Sequence, residues 1–269
     1  MNSLQRNNVI VKGRQDAETT LMFAHGYGCD QNMWRYVAPT FEDRYRIVLF
    51  DHVGAGGSDL DAWSAPKYAA LDGYADDVVE IARALDLNNV IFVGHSVAAM
   101  IGVIAAAKAP GIFSSLVLVS PSPSYIDDGD YVGGFTRAQI DELLESLDSN
   151  HMGWSAAMAP VIMANPDREE LAEELTASFC RTDPAIARAF ARTTFLSDSR
   201  DILPAVAVPT LILQCAEDVI APEAVGRYVH AHIPGSRLVM MEATGHCPNL
   251  SAPQETIAAI DAFLSPVAA

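Results

Sequence analysis

Blocks of consecutive apolar residues alternate along the chain with longer stretches in which apolar side chains recur at helical spacing. Val9 to Lys12, Thr20 to Ala24, Arg46 to Phe50, Val90 to Val93, Leu116 to Val119, Thr210 to Cys215 and Arg237 to Met241 are short and aliphatic, with turn formers around them, which predicts strands. Between them, apolar residues at 74, 78, 81, 82 and 85 predict a helix from Tyr74 to Leu85 with one buried face. An alanine-rich helix follows Ser96, another runs from Pro222 to about His232, and Ile257, Ile260, Phe263 and Leu264 mark a last one. A short helix capped by Asp30 turns Met33, Trp34 and Val37 inward. Strands alternating with helices predict an α/β protein with a mostly parallel sheet covered on both faces. In such sheets, sites form on the loops at the carboxyl ends of the strands.

From about Tyr125 to Phe195 the alternation stops and four helices are predicted. The first opens with a capping box, Thr136 and Gln139, and carries apolar residues at 140, 143, 144 and 147. The second presents Trp154, Met158, Val161 and Ile162, and the third Leu171, Leu175 and Phe179. The fourth starts at Asp183-Pro184, cap then first-turn proline, and carries Ile186, Phe190 and Phe195. This divides the chain into a core of residues 1–124 and 196–269 and a helical lid inserted at 125–195. Phe135, Trp154 and Phe195 are the candidate walls of an apolar substrate pocket.

Composition narrows the function classes. With 269 residues, half of them hydrophobic, the chain can bury one large core. Seventeen basic against thirty-four acidic side chains give a net charge of −17, which opposes nucleic acid and anionic membranes and suits neutral or apolar small molecules. Met1 to Gly13 holds no signal-like apolar block, and Val97 to Ala107 is too short to span a bilayer, so a cytoplasmic protein is expected. The four cysteines lack C-x-x-C spacing and read as reduced thiols. His230 and His232 fall on different helix faces, so no metal site or cofactor is implied.

Chemistry enters at Gly94-His95-Ser96-Val97-Ala98, where a predicted strand meets a helix. A serine at such a corner is lifted above the sheet edge as a candidate nucleophile, although one that merely caps the helix would look the same in isolation. Gly26-Tyr27-Gly28 follows the second strand, and its glycines allow an amide to turn into a pocket; with the amide of Val97 it would form an oxyanion hole. Asp218 follows a late strand, with Glu217 as the alternative acid, and His246 follows the next. The order Ser96, Asp218, His246 is that of an α/β-hydrolase triad. His95 is expected to point away from the nucleophile, and His25 to shape the oxyanion loop. The glycines from Gly54 to Gly57 fail the dinucleotide template, because Asp59 stands at its last position.

Several strings resemble one branch of the α/β-hydrolases, that of the bacterial stress-response regulator RsbQ and the plant karrikin and strigolactone receptors. They are Gly26-Tyr27-Gly28-Cys29-Asp30-Gln31 with Trp34, Leu71-Asp72-Gly73-Tyr74, Gly94-His95-Ser96-Val97, Ser120-Pro121-Ser122-Pro123, Leu213-Gln214-Cys215-Ala216 and Gly245-His246-Cys247-Pro248. The resemblance implies a V-shaped four-helix lid over a closed apolar cavity, with Ser96, His246 and Asp218 as the triad, and such a triad is expected to make a serine hydrolase acting on a small apolar ester or lactone. It also implies an alternative, a signalling protein that engages a regulatory protein phosphatase. Where that branch commonly has phenylalanine this chain has Tyr27, so a hydroxyl is expected to enter the pocket. Ala98 replaces the usual Gly or Ser, a small change expected to leave the nucleophile intact.

Overall fold

The computed structural model describes residues 2–265. Among them the strands are β1 (Ile10–Gly13), β2 (Thr20–Ala24), β3 (Arg46–Leu49), β4 (Val90–His95), β5 (Phe113–Val119), β6 (Thr210–Glu217) and β7 (Arg237–Thr244). They form one sheet in the order β1-β3-β2-β4-β5-β6-β7, parallel throughout except for β1, which pairs antiparallel with β3 at the edge. The helices are α1 (Ser3–Arg6), α2 (Leu71–Ala84), α3 (Val97–Lys108), α4 (Arg137–Ser149), α5 (His151–Met163), α6 (Glu169–Arg181), α7 (Pro184–Phe195), α8 (Glu223–His232), α9 (Pro248–Ser251) and α10 (Pro253–Leu264). None is long and apolar enough to cross a membrane.

Side chains alternate across the central strands, and each face has its own core. Met22, Val48, Phe92, Leu118 and Ile212 pack under α2, α3 and α8. Leu21, Phe23, Val93, Val117 and Leu213 face α10 and the helical block α4 to α7. A strand buried on both faces must be apolar at every position, which is why these segments read as unbroken runs. At the edge the rule relaxes. Strand β7 pairs only with β6 and exposes Arg237 and Glu242, so it runs on to Thr244, beyond the predicted apolar stretch.

Helices α4 to α7 fall between β5 and β6. Thr136 and Gln139 form the reciprocal capping box at the start of α4, and Asp183 accepts from the backbone N–H groups of Ala185 and Ile186 at the start of α7. The stretch after Asp30 is a single turn of 3-10 helix, Gln31–Trp34, too short for the α-helix its apolar spacing suggests.

Candidate active site

The sheet order fixes where the loops converge. After β2 the chain adds β3 on one side, then crosses to place β4 on the other, so a crevice opens at the carboxyl ends of β2 and β4. Ala24 and Gly94 are directly paired there, which brings Tyr27 and Ser96 together.

Ser96 links β4 to α3 with φ 57° and ψ −127°, a conformation costing about 1–3 kcal/mol in a non-glycine residue. Its own N–H is anchored to the Val119 carbonyl of β5 at 2.8 Å. The helix returns so close to the strand that a Cβ on Gly94 would lie 2.5 Å from the Ala98 carbonyl oxygen, and the methyl of Ala98 is accommodated in full burial.

Two further loops complete the site. Asp218 Oδ1 accepts from the N–H groups of Ile220 and Ala221 at 2.8 and 3.0 Å, which holds Oδ2 toward His246 Nδ1, 2.7 Å away. That acceptor fixes the proton on Nδ1 and leaves Nε2 as an acceptor. Ser96 Oγ donates to Nε2 at 2.7 Å. All three residues are buried. Glu217, the alternative acid, is exposed at the end of β6, and its carbonyl holds Gly245 N–H. The arrangement can pass the serine proton to an imidazole whose resulting charge is balanced by a carboxylate.

Among the described residues the N–H groups of Tyr27 and Val97 have no acceptor, and both residues flank the space above Ser96, Tyr27 as part of its lining and Val97 as the next residue in the chain. His25 shapes this loop: its Nδ1–H donates to Gly26 O at 2.9 Å, and its Nε2 accepts from His52 N–H at 3.0 Å. A Cβ at Gly26 would lie 2.6 Å from His95 Nδ1, so the backbone approach there demands glycine. The Tyr27 hydroxyl does not enter the pocket as an available group. It donates to Ala187 O in α7 at 3.1 Å, which corrects the expectation of a polar pocket at that position.

The helical block is fastened to the loops that carry Tyr27 and His246. Ser178 Oγ donates to Gly28 O at 2.8 Å and Arg181 pairs with Asp30 at 3.3 Å on the Tyr27 side. On the other side His246 N–H donates to Ile162 O at 2.8 Å, and Asn165 reaches Thr244 O at 3.2 Å. Beneath lies a small, largely apolar cavity. Trp154 and Phe195 border it together with Tyr27, Ser96 and His246. Phe135 does not. Its N–H donates to Tyr125 O and its carbonyl accepts from Asp127 N–H, so the chain doubles back and Tyr125 becomes the residue that enters the cavity.

Tyr125, Phe179 and Thr194 are cavity residues that sequence reasoning missed. Tyr125 sits just past β5, a carboxyl-end loop like those of the triad, and that placement was the available signal. The Tyr125 hydroxyl lies against Ser96 without forming a well-shaped hydrogen bond.

His95 was expected to point away from Ser96; its ring instead borders the same cavity, 5.0 Å from that of His246, and its Nε2 donates to the His246 carbonyl at 2.7 Å. Burial, reinforced by the neighbouring His246, pushes its pKa down to about 3. Burial lowers those of His25 and His52 as well. Each takes up its proton on unfolding, so the stability they contribute is complete above the unfolded value near 6.5 and is lost as pH falls below it. Between neutral pH and about pH 5 the loss from His95 is expected to be about 1–2 kcal/mol. Urea midpoints at the two pH values read it directly, and His95→Gln should flatten the difference; equal wild-type midpoints would contradict this account.

With the geometry in place, similarity to known proteins is informative. The alpha/beta hydrolase family matches residues 21–260, and the chain belongs to that family. A probable esterase from Oryza sativa subsp. japonica is 40% identical over 254 residues, covering 94% of this chain and 93% of the relative. A strigolactone esterase from Arabidopsis thaliana is 38% identical over 255 residues, covering 94% of each. The solved structure of a hydrolase from Oleispira antarctica superposes with a TM-score of 0.95 at 40% identity, over 99% of this chain and 97% of that one.

Proposed function

We propose that the protein hydrolyses small, largely apolar esters or lactones through an acyl-serine intermediate. The observation that carries this reading is the continuous chain from Ser96 Oγ through His246 to Asp218, both links at 2.7 Å, beside two amides without acceptors. Serine is a weak nucleophile until a base removes its proton, and His246 Nε2 is placed to do so as Oγ attacks the carbonyl carbon. The resulting oxyanion is held by the amides of Tyr27 and Val97; loss of one such donor typically costs about 3 kcal/mol of barrier. The imidazolium, steadied by Asp218, then protonates the leaving alkoxide. In a lactone that hydroxyl remains tethered to the acyl group. Water activated by the same imidazole releases the acid and restores Ser96.

Residues 125–195 act as the lid. They cover Ser96 and His246, so substrate enters and product leaves past α4 to α7. The relatives' printed esterase names support the reaction class. No feature among the described residues singles out a surface for a phosphatase, and hydrolysis is the reading carried forward. Turnover of p-nitrophenyl acetate by the wild-type protein, compared with Ser96→Ala, tests it. Equal rates would remove Ser96 from the reaction.

A further inference from the structure

The nucleophile and its base stand on strands that do not touch. Ser96 follows β4, whereas His246 follows β7 at the far edge of the sheet, with β5 and β6 between them. No strand pairing sets the imidazole against the hydroxyl it serves, so the spacing depends on what holds the main chain at His246.

Among the described residues two hydrogen bonds hold it. Its N–H donates to Ile162 O at 2.8 Å, in α5 of the helical block, and its carbonyl accepts from His95 Nε2 at 2.7 Å. Only the second anchor belongs to the core, and it comes from the residue adjoining Ser96. One side chain and one hydrogen bond therefore tie the backbone of the base to that of the nucleophile.

The His95 ring is committed to this contact. It is 2% exposed, and burial lowers its pKa to about 3, so it carries a single proton that the acceptor carbonyl places on Nε2. Nδ1 has no partner and lies against Gly26, where an added Cβ would be 2.6 Å away. The ring thus sits between the Tyr27 loop and the His246 loop. An apolar ring would fill the same space without burying an unpaired nitrogen, so packing alone does not account for an imidazole here.

We propose that His95 is a positioning residue for hydrolysis, its Nε2–H holding the His246 carbonyl so that the catalytic imidazole stays within hydrogen-bond distance of Ser96. The proposal rests on Ser96 and His246 acting as nucleophile and base. His246 acts in acylation and again in deacylation, so misplacing it slows both steps together: kcat falls while KM changes little.

Three substitutions separate the bond from the packing. The amide nitrogen of glutamine reaches the place of Nε2, that of asparagine stops near the place of Nδ1, and phenylalanine keeps a ring but has no donor. With p-nitrophenyl acetate, kcat per folded chain is expected to fall about a hundredfold in His95→Phe and His95→Asn, with KM within about twofold of wild type. His95→Gln should keep kcat within about threefold. Where His95→Phe fails to fold, the asparagine and glutamine variants decide. A loss below about fivefold in His95→Asn, or equal losses in His95→Asn and His95→Gln, overturns the proposal, because a purely structural role does not depend on where the amide lies. Ser96→Ala measured alongside tells the two failures apart. If it is inactive while His95→Asn is fully active, only the role of His95 is lost; if it is as active as wild type, the hydrolase reading falls and this proposal with it.

Discussion

Alanine at position 96 is expected to lower kcat for ester hydrolysis by about a millionfold, and alanine at 246 by nearly as much, with the double variant no worse than either. The proton on Oγ leaves only if Nε2 accepts it at 2.7 Å, and Nε2 has nothing to activate once the hydroxyl is gone. The two residues therefore act as one unit. Asp218→Asn should fall less, by about ten-thousandfold, because it disturbs the tautomer and the charge balance while Ser96 and His246 stay in place. Rates measured under identical conditions for the single and double variants decide the matter. Losses that multiplied in the double variant would show that Ser96 and His246 contribute independently.

Gly245→Ala is expected to damage both the fold and the site. Gly245 sits at φ +82°, and an added Cβ would lie 2.0 Å from the Met163 carbonyl oxygen at the end of α5. Left-handed strain of about 1–3 kcal/mol adds to a backbone clash that only separation of α5 from the His246 loop can relieve. A stability loss of about 3–5 kcal/mol is expected, with a fall in kcat as His246 shifts from Ser96. Gly235→Ala is the control, since its φ of +69° imposes similar strain and nothing lies within 4 Å of the new Cβ. Equal denaturation midpoints for the two variants would show that the contact between α5 and this loop contributes nothing.

The parts of the site that were legible in the sequence share one property: each is announced by local chemistry. Strands buried on both faces must be continuous apolar runs, so the loops that follow them can be located, and Ser96, Asp218 and His246 stand on such loops. The helical block was legible because Thr136 with Gln139 and Asp183 with Pro184 mark helix starts within a few residues. What was not legible depends on partners far along the chain. The Tyr27 hydroxyl is occupied by a carbonyl 160 residues away, and no neighbour in sequence signals that. Phe135 and Tyr125 are both aromatic near the entrance of the block, and only the fold-back pairing between them decides which one reaches Ser96. The choice of acid turned on strand length, since β6 runs through Glu217 and the chain turns at Asp218.

The most direct test of the central claim is labelling with a fluorophosphonate ester followed by peptide mapping, because that reagent bonds only to a serine whose proton is being withdrawn. The account predicts one phosphonyl group per chain, on Ser96, and none after His246→Ala. A label on another residue, or equal labelling of Ser96 without the imidazole, would contradict it.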